Sequence, residues 1–489
     1  MPQTTNTTDS AGAGSRPAVE RANAFEVRLS AQRQRLCNIL AVTGLAVCAA
    51  AGFTVDGGPT LWGLTPIVLF GALCLAGMDM VIATAVSLLG GVLIAQLGPA
   101  EVGDLLAAGL IDDELVAAIG LIIVLGAGTG EVLRVTGVAG RIVRTVMAAL
   151  GERTQRAVML GVMLSCLVLV TALGTLAGAL AIAAPILIPI AARTGFTRSA
   201  TAAMMFVGGC AGLALAPFAG SNVAIMDAAE VDYFTYLRYG GAPIAVLSVL
   251  MALLIVPWIQ RRTRELDDFY DADEAGMQAG EEPARAGRTT AVFLTALLVS
   301  VIYATVSEAG IAFPLLALPL LAVVTGLAAR LPLTEVASHI YRGGARLLSI
   351  LILFWLLAAL FLIINDLAPF DVILEQYGAD LKNMSGLAFA VAVALLGWVG
   401  VPGATAAQVV LIDKVFGPLA ATIGISTGAW VIVLLWASKA DTYGPFPNAN
   451  MIGAMGLARS TSLKTLLYSG WAILVPACAL YAVLLAVLT

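Results

Sequence analysis

Long apolar stretches separated by short polar segments run through the chain from residue 37 to residue 489. Each stretch is roughly 17–25 residues long, the length that an α-helix needs to cross a bilayer core of about 30 Å. Residues 1–36 are polar, and residues 259–289 form an acidic interruption near the middle. The pattern predicts an all-α polytopic membrane protein of about eleven spans, a disordered cytoplasmic tail over 1–36 and a cytoplasmic linker over 259–289.

The composition agrees with a membrane protein. Of the 489 residues 60% are hydrophobic and only 12% are charged, and the mean hydropathy is +0.96. The six cysteines lie singly in apolar stretches, which argues against a disulfide framework. The one histidine, His339, lies in a polar segment where we expect a solvated loop. A metal site with several histidines and a catalytic triad are therefore not expected, and the protein is not predicted to be an enzyme.

Basic residues indicate on which side of the membrane each segment lies. Four predicted helices over 37–137 return the chain to its starting side at the arginines of 141–156. If residues 157–193 form a re-entrant hairpin and not a single crossing, Arg193 and Arg198 stay on that side too. We therefore predict a hairpin there, and we place the N-terminus and the basic clusters on the cytoplasmic side of the inner membrane.

The second half of the chain repeats features of the first. The segments APFAGSN at 216–222 and GPFPNAN at 444–450 share Pro-Phe and a final Asn at one offset (450 − 222 = 228), and a Leu-x-Tyr-x-Gly pattern follows each. The offset predicts a second hairpin over 384–420. Because an odd number of crossings separates corresponding points, the membrane halves 37–258 and 290–489 form an inverted repeat. Inverted repeats with broken helices are typical of secondary transporters.

Each half also contains one predicted helix break. Proline lacks a backbone donor, so the backbone unwinds at the breaks; freed carbonyls can then bind a cation, and helix N-termini can bind an anion. By the symmetry of the repeat we expect both breaks and both hairpin tips to meet near the middle of the membrane. The predicted binding residues are Gly174, Pro217, Ser221 and Asn222 in the first half, and Gly403, Pro445, Asn448 and Asn450 in the second.

Charged residues inside apolar stretches are candidates for coupling. Lys439 either neutralises an anionic substrate or pairs with Asp441 or Asp413. Either of these aspartates, if it is partly desolvated, can carry a coupling proton. Glu131 is expected at the membrane interface, where Arg134 lies on the same helical face.

The sequence resembles the ion transporter superfamily, in particular the divalent anion:sodium symporters and the citrate and gluconate permeases. The resemblance rests on the order of hairpin, small-polar tip and broken helix, and on the aromatic segment VDYFTYLRYGGAPI at 231–244. Each tip in that family carries Ser-Asn-Thr, of which Thr175 and Thr405 match here. The resemblance implies that both threonines line the binding site.

The same resemblance implies a function. It suggests a homodimer in the lipid bilayer that moves a small organic anion, a di- or tricarboxylate or a sugar acid, by an elevator movement coupled to Na⁺ or H⁺. No other cofactor and no nucleic acid is expected. Two alternatives remain open: a Na⁺/H⁺ antiporter, and the membrane subunit of a tripartite transporter that depends on a binding protein.

Overall fold

The computed structural model builds the chain from helices. It describes residues 31–55, 59–110, 116–151, 154–266, 268–271, 282–307, 309, 312–369, 371–373, 375–376, 385–399 and 405–489. Within these residues ten helices are long and apolar enough to cross a membrane, and four shorter apolar helices accompany them. The prediction of an all-α polytopic membrane protein is confirmed.

The helices of the first half include both long apolar helices and shorter ones. They are α1 (Ala31–Gly52), α2 (Thr65–Ala76), α3 (Met80–Ala95), α4 (Pro99–Ala108), α5 (Val116–Val135), α6 (Val138–Leu150), α7 (Gln155–Leu173), α8 (Leu176–Arg193), α9 (Arg198–Leu215), α10 (Gly220–Ala228), α11 (Tyr233–Tyr236) and α12 (Ala242–Thr263). A π-helical turn, Leu237–Gly241, joins α11 to α12.

The second half follows the same order of long helices, hairpin and broken helix. Its helices are α13 (Ala286–Val306), α14 (Phe313–Ala328), α15 (Leu333–Ala345), α16 (Leu348–Leu367), α17 (Gly386–Leu396), α18 (Thr405–Ile423), α19 (Thr427–Tyr443), α20 (Ala449–Leu457) and α21 (Leu463–Leu488).

Helices α7 and α8 form an antiparallel hairpin. The chain reverses at Gly174, whose φ of 68° is a left-handed conformation that glycine adopts without steric cost. At the other end of the hairpin, the Gln155 side chain donates to the Thr194 carbonyl at 2.9 Å. The two ends of the segment therefore meet, and the turn lies where the sequence places it.

Helices α17 and α18 form the corresponding pair in the second half. Gly386 at the start of α17 lies against Ile425, which follows the end of α18, so these helices are also antiparallel. A 3-10 turn, Gly397–Val399, follows α17, and the rest of the connection, residues 400–404, lies outside the described residues. The predicted tip residue Gly403 belongs to that segment.

The two halves interlock through these hairpins. Helix α10, which follows the first break, packs against α18 of the second hairpin. Helix α20, which follows the second break, packs against α8 of the first hairpin. Each break is thereby held close to the hairpin of the other half.

Two amphipathic helices, α6 and α15, lie where the sequence indicates polar connections. His339 belongs to α15 and is buried at 8% exposure, so the expectation of a solvated loop is wrong. Its burial results from the packing of α15 against α5. Glu131 on α5 is likewise buried, with a side-chain exposure of 4%, and it pairs with both Arg134 and Arg346.

Candidate functional site

The first break lies between α9 and α10, and Asn222 holds its shape. The Asn222 amide nitrogen donates to the carbonyls of Leu213 and Ala216, each at 2.8 Å. The Ser221 hydroxyl donates to the Asn222 side-chain oxygen at 3.4 Å. Asn222 is fully buried. Its amide therefore supplements the long backbone hydrogen bonds that these two carbonyls accept at the end of α9, while Pro217 occupies the unwound segment itself.

The tip of the first hairpin reaches this break. A small cavity of about 10 Å³, the size of one water molecule, is lined by Gly174, Thr171, Pro217 and Phe218 among others. Thr175 begins α8 without a capping hydrogen bond from its side chain, and it is half-buried. The structure therefore brings the predicted residues Gly174 and Pro217 together, with the Thr175 hydroxyl next to them in the chain.

The second hairpin contacts the second broken helix directly. The Thr405 hydroxyl donates to Asp441 Oδ2 at 2.8 Å, across 36 residues of sequence. One turn further along α18, the Gln408 amide donates to the carbonyl of Gly397 and, at 3.3 Å, to that of Ala437. Gln408 is buried, and our sequence analysis did not include it. A polar residue three positions after a tip threonine, in an otherwise apolar helix, is the signal that would have found it.

The second break lies between α19 and α20, and Asn448 shapes it. The Asn448 side-chain oxygen accepts from the Met451 N–H at 2.9 Å, and its amide donates to the Thr442 carbonyl at 3.3 Å. Asn450 is half-buried, and its side chain makes no hydrogen bond within the described part of the chain. Pro445 lies in the unwound segment. Asn448 thus stabilises the break through two side-chain hydrogen bonds, whereas the Asn450 amide forms none within the described residues and can bind a ligand.

Lys439 is the most deeply buried charged residue of this region, at 1% exposure. Its amine has no hydrogen-bond partner among the residues that the structure describes. The Asp413 carboxylate on α18 accepts from the Trp430 indole at 2.9 Å. Trp430 and Lys439 lie on different turns of α19. Of the two alternatives that the sequence left open for Lys439, the ion pair with Asp413 or Asp441 is not formed within the described residues.

The two broken helices cross each other near the second break. The Cys210 thiol on α9 contacts the Thr442 carbonyl on α19 at 3.8 Å. The rings of Phe206 and Tyr443 meet edge to face with centroids 6.4 Å apart, and the Tyr443 hydroxyl lies 2.7 Å from the Ser248 hydroxyl on α12. These contacts join the two halves of the repeat at one place in the membrane.

A larger cavity of about 560 Å³ opens beside the first break. It extends from Pro217 to three acidic side chains: Asp227 in the last turn of α10, and Glu230 and Asp232 just after that helix. Partial burial raises the pKa of Asp232, but hydrogen bonds from the Thr235 hydroxyl and from backbone N–H groups of α11 outweigh it and hold the pKa below its usual value. The cavity therefore presents negative charge, which attracts cations.

Comparisons with known proteins agree on a transporter. Residues 17–259 match the model of the Na⁺/H⁺ antiporter family. The crystal structure of the YdaH transporter from Alcanivorax borkumensis superimposes with a TM-score of 0.53 at 16% sequence identity, covering 93% of this chain and 98% of that one. An identity this low shows a likeness of fold alone. None of the curated proteins matches the chain.

The family match and the shared fold together indicate a secondary membrane transporter that is not an enzyme. Neither comparison supports the narrower resemblance to the divalent anion:sodium symporters.

Proposed function

We propose that the protein exchanges Na⁺ for H⁺ across the membrane. The observation that carries this proposal is the match of residues 17–259 to the Na⁺/H⁺ antiporter family. The matched region contains the first hairpin, the first break and the three acidic residues of the cavity beside it.

The pair formed by Thr405 and Asp441 is the best candidate for the cation site. Sodium prefers oxygen ligands, and here a carboxylate lies 2.8 Å from a hydroxyl beside a helix break. The break also leaves backbone carbonyls without helical partners. A carboxylate that binds either Na⁺ or a proton, but not both at once, exchanges one ion for the other.

The repeat supplies a route for alternating access. Each hairpin packs against the broken helix of the opposite half, so a movement of one hairpin exposes the site on one side of the membrane. The cavity of about 560 Å³ opens beside the first break, and α10, which follows that break, packs against α18, the helix that begins at Thr405, so the cavity offers an entry path toward the site. The elevator movement and the homodimer implied by the sequence remain predictions.

Symport of an organic anion is the second candidate function. The observation that favours it is the buried amine of Lys439, which lacks a hydrogen-bond partner in the described structure. A carboxylate substrate would neutralise such a charge. The di- and tricarboxylates and sugar acids expected from the sequence are the substrates to test.

The deciding experiment uses the purified protein in liposomes. With a pH-sensitive dye inside, an inward Na⁺ gradient should drive protons out of the vesicles, whereas an equal K⁺ gradient should not. Uptake of labelled succinate or citrate is measured in the same vesicles. Proton movement driven by Na⁺ without anion uptake supports antiport; anion uptake driven by Na⁺ or H⁺ would instead support the second candidate.

A further inference from the structure

Two exposed lines of side chains meet where helices α12 and α21 pack together. On α12, residues spaced four apart form one line: Leu250, Leu254, Trp258 and Arg262. On α21, Lys464, Tyr468, Trp471 and Val475 form the second line. Residues three or four apart share a helical face, so the members of each line lie side by side. Each line is apolar and aromatic over most of its length and has a cation at one end.

Aromatic rings hold the cation of α12 in place. The Arg262 guanidinium lies 5.2 Å from the centre of the Trp258 ring and 6.0 Å from that of Tyr468. The two rings meet edge to face with centroids 5.6 Å apart, although each residue is at least 40% exposed. Stacking leaves the edge of the planar guanidinium free to donate hydrogen bonds.

Four cations lie at the basic end of this surface. Arg261, Arg262, Arg264 and Lys464 are all exposed there. Within the described residues none of the four forms an ion pair, although Glu265 lies in the same turn. Elsewhere on the same predicted side of the membrane, Arg141 and Arg144 both pair with Glu282. The α12–α21 surface therefore presents net positive charge beside an apolar groove.

We propose that this surface binds an anionic phospholipid. The headgroup phosphate accepts hydrogen bonds from Arg262, with Lys464 and Arg261 adding positive charge. One acyl chain then runs along the apolar lines of the two helices. Leu250 lies about 12 Å from Trp258 along the helix axis, close to the depth of one leaflet. The basic end lies on the cytoplasmic side by the positive-inside rule, where anionic headgroups are available.

The geometry distinguishes this surface from an ordinary cluster of basic residues at the membrane interface. Trp and Tyr rings at headgroup depth are common, but here they fix a guanidinium that has no other partner within the part of the chain that the structure describes. A zwitterionic lipid offers the same acyl chains with a neutral headgroup. The proposed site should therefore discriminate between lipids by charge.

Native mass spectrometry of the full-length protein in detergent tests the proposal. Phosphatidylglycerol, added stepwise, should bind the wild type more tightly than phosphatidylcholine with the same chains. Arg262→Gln should weaken phosphatidylglycerol binding about tenfold, since it removes a charge-assisted contact. Trp258→Ala, which removes only the ring under the guanidinium, should cause a smaller loss. The matched control is Arg285→Gln, an exposed arginine at the start of α13, which should bind like the wild type.

Three results would overturn the proposal. The first is full phosphatidylglycerol binding by an Arg262→Gln variant that elutes and melts like the wild type. The second is displacement of the bound lipid by inorganic phosphate at millimolar concentration, which would reveal a simple anion site without a role for the acyl chains. The third is a change in the number of subunits in the complex of the variant, which would show that the surface joins two copies of the chain.

Discussion

Asp441 and Thr405 form the one contact that ties the tip of the second hairpin to the second broken helix through side-chain oxygens in the described structure. Neither residue is close to the other in sequence. Their hydrogen bond places a negative charge and a neutral oxygen beside a helix break, where the last backbone carbonyls of α19 lack helical partners. At the scale of single residues, substitutions of this pair give the most direct test of the proposed Na⁺/H⁺ exchange.

We expect Asp441→Asn to lower Na⁺-driven proton movement at least about tenfold, because it removes the charge that both ions need. Thr405→Val keeps the shape and deletes one oxygen, so the Na⁺ concentration for half-maximal exchange should rise about fivefold. Both are measured with the pH-sensitive dye in liposomes. Asp104→Asn, on an exposed helix outside the site, is the control. Normal exchange by Asp441→Asn would remove Asp441 from the proposed cation site.

The two asparagines related by the repeat should behave differently from each other. Asn222→Ala removes the short hydrogen bonds to two carbonyls, which keep only longer backbone bonds of 3.4 and 3.5 Å, so the free energy of unfolding should fall by about 1–3 kcal/mol. Asn450→Ala breaks no hydrogen bond within the described residues and should lower transport at nearly unchanged stability. Thermal melting in detergent and the liposome assay separate the two effects. If Asn450→Ala transports normally, its predicted place in the site is wrong.

At the scale of helices, the Leu-x-Tyr-x-Gly pattern has the same packing role in both halves. A methyl group built on Gly241 would lie 2.7 Å from the Ala214 carbonyl oxygen, and one built on Gly470 would overlap the Tyr443 carbonyl oxygen. These pairs share one offset (470 − 241 = 229 and 443 − 214 = 229). In each half the glycine lets the next long helix pack on the end of the broken helix.

Gly470→Ala should therefore push α21 away from the second break. We expect a loss of about 1–3 kcal/mol in stability, since the obstacle is backbone and cannot rotate away. Na⁺/H⁺ exchange should fall as well, because Asp441 lies in the last turn of α19, directly before this break. Gly453→Ala on α20 has open space around it and should behave like the wild type. Equal melting temperatures for the two variants would contradict this account of the pattern.

At the scale of the whole molecule, the acidic cavity should concentrate cations before they reach the first break. Glu230→Gln should raise the Na⁺ concentration for half-maximal exchange about twofold at low ionic strength, since one charge acts through a largely aqueous path. The effect should vanish as added choline chloride screens the field. Asp104→Asn serves again as the control. A Glu230→Gln effect that is independent of salt would indicate direct binding and not attraction at a distance.

Much of the fold follows from local properties of the chain. Apolar length predicts the membrane helices, and Pro217 and Pro445 interrupt α-helical hydrogen bonding wherever they are placed. Gly174 marks a reversal because it tolerates a positive φ. None of these features needs knowledge of a neighbouring helix.

The sequence by itself therefore determined the class of protein, the positions of the breaks and the turn of the first hairpin. Only the tertiary structure decided that His339 and Glu131 are buried, because mixed polar and apolar faces become buried only when another helix covers them. It also decided that Asn222 shapes a break and that Thr405 meets Asp441. The side chain of a polar residue can bind backbone, another side chain or a ligand, and the choice depends on which helix the fold brings beside it.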